Sequence, residues 1–468
     1  MLDHALNDAL SRVGSGTPMG ETMRRYWLPA LLSMEVPEPD CPPVRVSLMG
    51  EELLAFRSTD GKIGLVQEAC PHRRASLYFG RNEECGIRCV YHGWKFDVEG
   101  NCVDQMNEPR QFKERVKITA YPTLDMGGVI WTYLGPADKQ PAPPEFELTQ
   151  VPATHRYMTK VWQECNWLQA MEGGIDTSHA PILHRKLTDE TDEPGISPNS
   201  PFLQGAAPDI EVETTDYGYR YFGIRPMGED QTFVRGYQYV MPFTQLRPSR
   251  YGKTVVDGHF WVPMDDHNVM VYNFGYSWGT DPLPVNESAL KDSGNNLDED
   301  VDPSNGFRSI RNRDNNYMLD REVQKTQTFT GIHGINAQDR AIQESMGPIV
   351  DRTKEFLGPA DMAIVAARKL LEQAIETVKD HGYPMGVAPT YYNIRAAEGM
   401  FPKGEAWRES LVSRMHSSPW PVPRRLGIHR PHRPTRGHRL RRVVPGAGSC
   451  AGHDRRPYSP VTAPDPFR

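Results

Sequence analysis

The sequence predicts an α+β protein with two consecutive regions, each built around antiparallel β-structure. Short runs of alternating apolar and polar residues with tight turns fill the region before residue 140, and four longer strand-like runs follow between residues 217 and 278. One long amphipathic helix is predicted over residues 360–382. The chain has 468 residues, 38% of them hydrophobic, so it can form two or three domains with real cores.

The first region follows an N-terminal segment, residues 1–25, that we expect to be helical. Residues 44–57 alternate around a Gly-Glu turn, the pattern continues after an Asp-Gly turn, and residues 127–135 form a closing strand. The proline-rich stretch that comes next has the composition of a linker. We therefore place a first domain at residues 26–140.

A second domain is expected over residues 145–412. It opens with a helix around Asn166 to His179 and continues through an irregular Gly/Pro/Asp-rich passage at residues 188–209. Four strand-like runs then suggest one antiparallel sheet. The amphipathic helix near the end of this domain has Lys379 and Gly382 as terminators.

The last segment, residues 417–468, has no hydrophobic periodicity. It contains eleven arginines and only two acids, so its formal charge is +9 against −16 for the rest of the chain. Such a composition cannot bury enough apolar surface to fold, and we expect a disordered basic tail without a part in the mechanism. A tail that binds nucleic acid or another anionic surface is the less favoured interpretation.

Composition also bears on the compartment. The sequence has no run of about 18 apolar residues, and its N-terminus lacks the basic start and apolar stretch of a secretion signal. We therefore expect a cytoplasmic protein without membrane or nucleic-acid partners. Seven cysteines, an odd number, favour metal ligation over a disulfide framework in a reducing compartment.

Two cysteines and two histidines on two loops form the first candidate metal site: Cys70, His72, Cys89 and His92. Such a set can hold one zinc ion, or a [2Fe-2S] cluster with both cysteines on one iron and both histidines on the other, as in Rieske centres. The proline after the first cysteine and the Gly-Trp pair after the last histidine favour the cluster. Cys85 and Cys102 fall outside the pattern and are interpreted as spare buried thiols.

A second candidate site lies further along the chain and offers Glu172, Asp176, His179 and His184. On a helix, His179 lies one turn after Asp176, and Pro181 obliges the chain to leave regular helix before His184. Two histidines can thus converge on one metal ion from the helix and the turn that follows it. Alone, such a pair is weak evidence for a metal, but the upstream cluster strengthens the interpretation.

With both motifs in this order, the sequence resembles the catalytic α subunits of the Rieske non-haem iron ring-hydroxylating oxygenases over roughly residues 5–400. The stretches "GTPMGETMRRYWLPALL", "ACPHRRASL" and "EGGIDTSHAPILH" are similar to the phthalate dioxygenase and phenoxybenzoate dioxygenase group. The resemblance implies a Rieske [2Fe-2S] domain followed by a catalytic domain with a helix-grip, START-like fold, in which helices flank a central antiparallel sheet. It also implies a mononuclear Fe(II) held by His179, His184 and a later carboxylate.

The later carboxylate is assigned by the same resemblance to the stretch "GINAQDRAIQESMGP". Asp339 is the expected ligand, and it completes a two-histidine, one-carboxylate triad that leaves positions open for oxygen and substrate. Glu344 and Asp351 are the rival carboxylates, and both are better explained as surface or outer residues.

The resemblance also implies partners. No flavin or nicotinamide fingerprint is present, so a separate reductase is expected to supply electrons from NADH. A head-to-tail homotrimer, or a hexamer of stacked trimers, is expected to bring His92 of one subunit to the iron site of its neighbour. Asp176 is the expected catalytic link between the two imidazoles.

The expected reaction is insertion of O2 into a carboxylated aromatic of the phthalate, phenoxybenzoate or chlorobenzoate type, as a cis-dihydrodiol or angular diol. A cation should then face the pocket, and Arg225, Arg235 and Arg247 lie on or beside predicted strands where they can form a bidentate clamp. O-demethylation or another monooxygenation of a methoxylated aromatic acid is an alternative. A pure electron carrier and a zinc-binding protein are alternatives of other classes.

Overall fold

The computed structural model describes residues 2–205, 207–249, 254–283, 293–387 and 394–416. The predicted basic tail, residues 417–468, lies outside the described residues. The α+β prediction is confirmed, because antiparallel pairing dominates the sheets and most helices belong to the second region.

Two short helices open the chain, α1 (His4–Ser11) and α2 (Pro18–Met23). The Asp3 side chain caps α1 by accepting a hydrogen bond from the Leu6 amide. Thr17 caps α2, which has a proline at its first position. Both helices lie within the segment expected to be helical.

The first region contains short strands arranged in small antiparallel sheets. These strands are β1 (Trp27–Leu32), β2 (Val44–Leu48), β3 (Glu51–Arg57), β4 (Ile63–Gln67), β5 (Arg81–Glu83), β6 (Gly86–Arg88), β7 (Trp94–Phe96), β8 (Cys102–Gln105), β9 (Ala120–Tyr121), β10 (Thr123–Met126) and β11 (Val129–Tyr133). One sheet has the order β1-β11-β10, another β2-β3-β4-β9, and a third β5-β6-β7-β8. The third sheet carries the second metal-ligand loop, between β6 and β7.

The second region is built on one large sheet. Its strands are β12 (Arg156–Gln163), β13 (Asp209–Thr214), β14 (Gly218–Met227), β15 (Gln231–Val240), β16 (Thr244–Pro248), β17 (Val255–Pro263), β18 (Val269–Ser277), β19 (Val301–Asp302), β20 (Arg308–Ser309) and β21 (Ala397–Pro402). Within the described ranges the order is β13-β14-β15-β16-β17-β18-β12-β20-β19, and β21 pairs with β15. Pairing is antiparallel apart from the short contact of β12 with β20.

Helices pack around this sheet. They are α3 (Glu147–Gln150), α4 (Trp167–Ile175), α5 (Ala180–Leu183), α6 (Pro201–Gln204), α7 (Arg321–Thr326), α8 (Ile335–Ser345), α9 (Met362–Lys379) and α10 (Trp407–Arg414). The amphipathic helix predicted near the end of the second domain is α9. None of the helices in the described ranges is both long and apolar enough to cross a membrane.

The helix expected around Asn166 to His179 is shorter than predicted. It ends at Ile175, Asp176 has an extended backbone, and His179 instead precedes the separate short helix α5. Pro181 lies in the first turn of α5, where its missing amide proton is harmless. The two histidines are therefore joined by one turn of helix rather than by the end of a long one.

One hydrophobic core joins the two regions. Trp131 of β11 meets Phe260 of β17 edge to face, with ring centroids 5.4 Å apart. The buried Lys160 of β12 forms an ion pair of 2.6 Å with Glu35 of the first region. A second, smaller core lies beneath the metal-ligand loops and includes Leu54, Phe56, Leu77, Ile87 and Phe96.

Candidate active site

Two tight turns present the candidate cluster ligands. In the first, the Arg74 amide donates to the Cys70 carbonyl and the Cys70 amide donates to the Ala75 carbonyl, both at 2.9 Å. In the second, the Gly93 amide donates to the Cys89 carbonyl at 2.9 Å. Gly93 has φ +75°, and a Cβ there would lie 2.6 Å from the Cβ of Met106, so glycine is required.

The four ligand side chains gather at one place. Cys70 and Cys89 are 1% and 2% exposed, and the rings of His72 and His92 lie 4.4 Å apart between centroids. Burial, with the Cys89 thiol alongside, raises the pKa of Cys70 to about 12. The Nδ1 atom of His72 is buried without a hydrogen-bond partner among the described residues. A buried Cys70 thiol with a raised pKa, a second buried thiol beside it and an imidazole nitrogen with an unused lone pair fit a bound metal group.

The spacing of these ligands favours a cluster over a single zinc ion. Within the described part of the chain, only one group of three or more candidate ligand atoms lies within 4.8 Å of one another, and it belongs to His179, His184 and Asp339. The Cys/His set on the two turns is thus more widely spread than one tetrahedral ion requires. Cys102 is buried and its thiol donates to the Asp104 carbonyl at 3.5 Å, whereas Cys85 is only partly buried.

The second candidate site brings together three side chains from two distant segments. The Nε2 atoms of His179 and His184 each lie 3.3 Å from Oδ1 of Asp339. The same Oδ1 is buried and makes no well-aligned hydrogen bond with any described residue. Three ligand atoms that face one point without bonding to one another fit a divalent metal ion, and the donor set is the one that non-haem Fe(II) prefers.

The Nδ1 atom of each histidine donates a hydrogen bond to a side chain outside the triad. Nδ1 of His179 donates to Oδ2 of Asp176 at 3.2 Å, and Nδ1 of His184 donates to Oε1 of Gln338 at 2.8 Å. Asp176 is fixed in turn by the amide and hydroxyl of Ser178, both 2.7 Å from its Oδ1. With the proton on Nδ1, each Nε2 keeps its lone pair for a metal.

The electrostatics of this site favour a positive charge. Burial alone would raise the pKa of Asp339, but His184 and His179 outweigh it and hold the pKa well below the usual range. Burial alone would lower the pKa of His179, but the neighbouring carboxylates of Asp176 and Asp339 raise it to about 10. A proton or a metal cation is therefore stabilised between these carboxylates.

Helix α4 is anchored by a buried ionic network. Glu172 accepts hydrogen bonds from Arg352 and Arg368, the closest at 2.8 Å and 2.6 Å, and the Asp176 amide donates to the Glu172 carbonyl. A Cβ on Gly174 would lie 1.9 Å from the Trp261 ring, so the helix packs directly on the sheet. Glu172, which the sequence offers beside the ligands, is therefore an anchor and not a member of the triad.

The rival carboxylates lie elsewhere. Glu344 is buried. It accepts one hydrogen bond from the Tyr317 hydroxyl at 2.5 Å and another from the Glu164 amide. Asp351 bonds Thr353 and forms an ion pair with the exposed Lys354. Neither belongs to the group of converging ligand atoms.

A cavity of about 400 Å³ extends from the triad between the large sheet and the helices. Its walls include apolar and aromatic side chains together with a few polar groups, among them Phe202, Tyr237, Trp261, His259 and Asn273. A cavity of this size can enclose a substituted aromatic ring. His259 was not singled out from the sequence. Burial, with Arg247 nearby, lowers its pKa to about 3, so it is neutral.

The three candidate arginines differ in their surroundings. Arg225, one of the three candidates, does not line the cavity: it is fully buried, donates to the Thr177 carbonyl at 2.8 Å and lies over the Phe202 ring. Arg235 lines the cavity but forms an ion pair of 2.9 Å with Glu398. Arg247 also lines the cavity, and no hydrogen bond or ion pair with another described residue engages its guanidinium.

Models of two protein families match the chain. The Rieske [2Fe-2S] domain matches residues 26–122, and the "LigXa C-terminal domain like" family matches residues 132–422. The fold and the paired sites thus define a Rieske oxygenase subunit.

Known proteins support the same assignment. The phthalate 4,5-dioxygenase oxygenase subunit of Pseudomonas putida is 40% identical over 80% of this chain and 86% of its own length. The 3-chlorobenzoate-3,4-dioxygenase oxygenase subunit of Comamonas testosteroni is 36% identical over 87% of this chain and 98% of its own. The oxygenase of carbazole 1,9a-dioxygenase, solved in complex with ferredoxin, has the same fold with a TM-score of 0.51, at 20% identity over 82% of this chain and 96% of its own. The chain belongs to the Rieske non-haem iron oxygenases, as one of their catalytic oxygenase subunits, and its cofactors are a Rieske [2Fe-2S] cluster and a mononuclear iron.

Proposed function

We propose that this subunit is the terminal oxygenase of a multicomponent dioxygenase that acts on a carboxylated aromatic of the phthalate, phenoxybenzoate or chlorobenzoate type. The observation that carries this proposal is the cavity that has the His179, His184 and Asp339 side chains in its walls together with Arg247, whose guanidinium has no hydrogen bond or ion pair with another described residue. An aromatic acid fits that combination, because the apolar walls enclose a ring and a guanidinium binds a carboxylate.

In this proposal, the Rieske cluster is held by Cys70, His72, Cys89 and His92, and Fe(II) is held by the triad. When bound, these groups supply single electrons and the activation of dioxygen. The protein contributes the geometry. Asp339 and the two imidazoles would hold Fe(II) with only three protein ligands, and the cavity side chains would surround the ring and exclude bulk water.

Arg247 is the proposed anchor for the substrate carboxylate. A buried carboxylate needs a charged partner, and the Arg247 guanidinium is available on the cavity wall. Arg235 is already neutralised by Glu398, so it contributes less. Arg225 lies behind the wall and donates to the carbonyl of Thr177, two residues before His179.

The proposed assembly is a head-to-tail trimer, or a hexamer of stacked trimers, in which Asp176 links two subunits. Oδ2 of Asp176 accepts a hydrogen bond from Nδ1 of His179. The partly exposed His92 of a neighbouring subunit is the proposed second donor to Asp176. Exposed apolar residues lie beside each centre: Val90 and Tyr91 beside the cluster ligands, and Ile182 between the iron ligands. Such exposed side chains suit burial in an interface between subunits.

The electron supply and location complete the proposal. A separate reductase component is expected to deliver electrons from NADH to the Rieske cluster, and the cytoplasm is the proposed compartment. The ferredoxin is the partner of the carbazole 1,9a-dioxygenase oxygenase, and reconstitution with purified electron-transfer proteins is the way to identify the donor of this chain.

The test is oxygen uptake by the purified subunit with NADH and a compatible reductase, across aromatic acids and their neutral amides. We expect uptake with an acid and at least tenfold less with its matched amide, since the amide lacks the charge for Arg247 (about 1.4 kcal/mol or more). Two oxygen atoms from ¹⁸O₂ in a diol product support dioxygenation. Formaldehyde from a methoxylated acid supports the O-demethylase alternative, and no substrate-dependent uptake rejects both.

A further inference from the structure

We infer that Gln338 is a positioning residue of the iron site, which holds the imidazole of His184 in the tautomer that offers Nε2 to the metal. This inference rests on the proposed iron triad. No motif in the sequence marks this glutamine, which lies directly before Asp339 on α8.

The orientation of the Gln338 amide is determined by its two hydrogen bonds. Nε2 of Gln338 donates to the Ile332 carbonyl at 2.9 Å, and a carbonyl can only accept. Oε1 must therefore face His184, whose Nδ1 lies 2.8 Å away. Because an amide oxygen also only accepts, Nδ1 of His184 must carry the proton.

The consequence falls on the other ring nitrogen. In a neutral His184 with its proton on Nδ1, Nε2 has a bare lone pair, and it lies 3.3 Å from Oδ1 of Asp339. A lone pair facing a carboxylate oxygen is repulsive unless a cation lies between them. Gln338 thus arranges the imidazole for a metal ion in advance, without any contact between the amide and the metal.

The proposed metal ligand and the residue that orients His184 lie next to each other on one turn of helix. Gln338 and Asp339 are consecutive on α8, and the Gln338 amide nitrogen donates to the carbonyl of Gly334, the residue before the helix. Gln338 is 1% exposed, so its side chain has no water to replace a lost partner. The ligand carboxylate and the support for His184 therefore share one rigid piece of backbone.

The neutral amide also limits the negative charge at the site. Asp176 accepts the His179 hydrogen bond with a charged carboxylate, whereas Gln338 accepts the His184 hydrogen bond with a neutral amide. Asp176 and Asp339 together match the charge of Fe(II). A third carboxylate at position 338 would still accept the hydrogen bond from His184, although it could not donate to the Ile332 carbonyl, and its charge would favour the ferric ion over the ferrous one.

The experiment compares Gln338→Met and Gln338→Glu with a matched control, Gln169→Met. Gln169 is also buried, and its side chain bonds the Gln343 and Gly347 carbonyls and the Val350 amide, none of which belongs to a proposed ligand. Fe(II) affinity is measured by chelator competition in protein that retains its Rieske absorption. The Fe(III)/Fe(II) potential of the mononuclear site is measured by redox titration.

We expect Gln338→Met to weaken Fe(II) binding by about 10- to 100-fold. Gln169→Met should leave it within about twofold of the unsubstituted protein, although both substitutions remove buried hydrogen bonds. Gln338→Glu should restore binding and move the potential to a lower value, because the added charge stabilises Fe(III).

Unchanged Fe(II) affinity in Gln338→Met, or an equal loss in Gln169→Met, overturns the inference. If Gln338→Met does not fold, Gln338→Glu decides, and an unchanged potential overturns the inference. Failure of the underlying triad has a separate signature, namely the same weak iron binding in the unsubstituted protein and in Asp339→Ala.

Discussion

The two metal centres of this subunit are built in different ways. The proposed Rieske ligands lie on two neighbouring turns, and each turn is closed by its own backbone hydrogen bonds. The proposed iron triad instead joins α5 to α8, and Gln338, which accepts a hydrogen bond from His184, comes 154 residues later in the chain. The first centre is therefore specified locally, whereas the second depends on packing between distant segments. This difference predicts that each centre can be damaged without the other.

The largest effect is expected when the distant ligand is removed. Asp339→Ala should lose the mononuclear iron, so that the iron content falls from about three to about two atoms per chain while the Rieske absorption stays. Metal analysis with visible spectroscopy measures both. Loss of the Rieske absorption in this variant would show that the centres are not independent.

The reciprocal change removes a local ligand. Cys89→Ser should abolish the Rieske absorption, because a neutral hydroxyl is a poor substitute for a thiolate. The triad should still bind about one Fe(II) per chain, since within one subunit the side chains that bond its histidines, Asp176 and Gln338, lie outside the cluster turns. Chelator competition measures that binding, and its disappearance would contradict the separation of the two centres.

The ionic anchor of the second centre gives the next effect. Glu172→Gln should lower the free energy of unfolding by about 3–5 kcal/mol, because it leaves the buried Arg352 and Arg368 without their shared carboxylate. The control Glu322→Gln breaks only the exposed pair with Lys325, and should cost less than about 1 kcal/mol. Chemical denaturation measures the free energy of unfolding of both variants. An equal loss in the two would contradict the role of Glu172 as the anchor of α4.

The smallest effect is expected at the cavity wall. Arg247→Met should raise KM for the aromatic acid by about 10- to 100-fold through the loss of one charge-assisted contact, with both metals retained. The control Arg220→Met removes an arginine paired with Glu213 at 2.5 Å that does not line the cavity. A KM that is unchanged in Arg247→Met, or changed equally in both variants, would reject Arg247 as the anchor.

The same contrast explains what could be predicted from the sequence. Cys70, His72, Cys89 and His92 lie on short turns with a recognisable spacing, so local reading is sufficient to propose them. Asp339 could be predicted only through the family resemblance, because no nearby sequence feature indicates that it faces two histidines at the ends of another helix. Gln338 and His259 gave no signal at all, since amides and single histidines are common in protein cores.

The fold shows a similar limit. The strands with clear alternation, such as β3 and β17, were predicted, but β13 and β21 were not, because their sequences carry acidic residues, glycine or proline. Their positions depend on pairing with β14 and β15. The early end of α4 and the burial of Arg225 likewise follow from tertiary contacts that no local pattern encodes.

The most direct measurement is the iron and acid-labile sulfide content of the purified subunit, combined with electron paramagnetic resonance after reduction. We expect about three irons and about two sulfides per chain, with a signal from a cluster ligated by both cysteine and histidine. About one zinc per chain, with no sulfide and no reduced-cluster signal, would contradict this expectation.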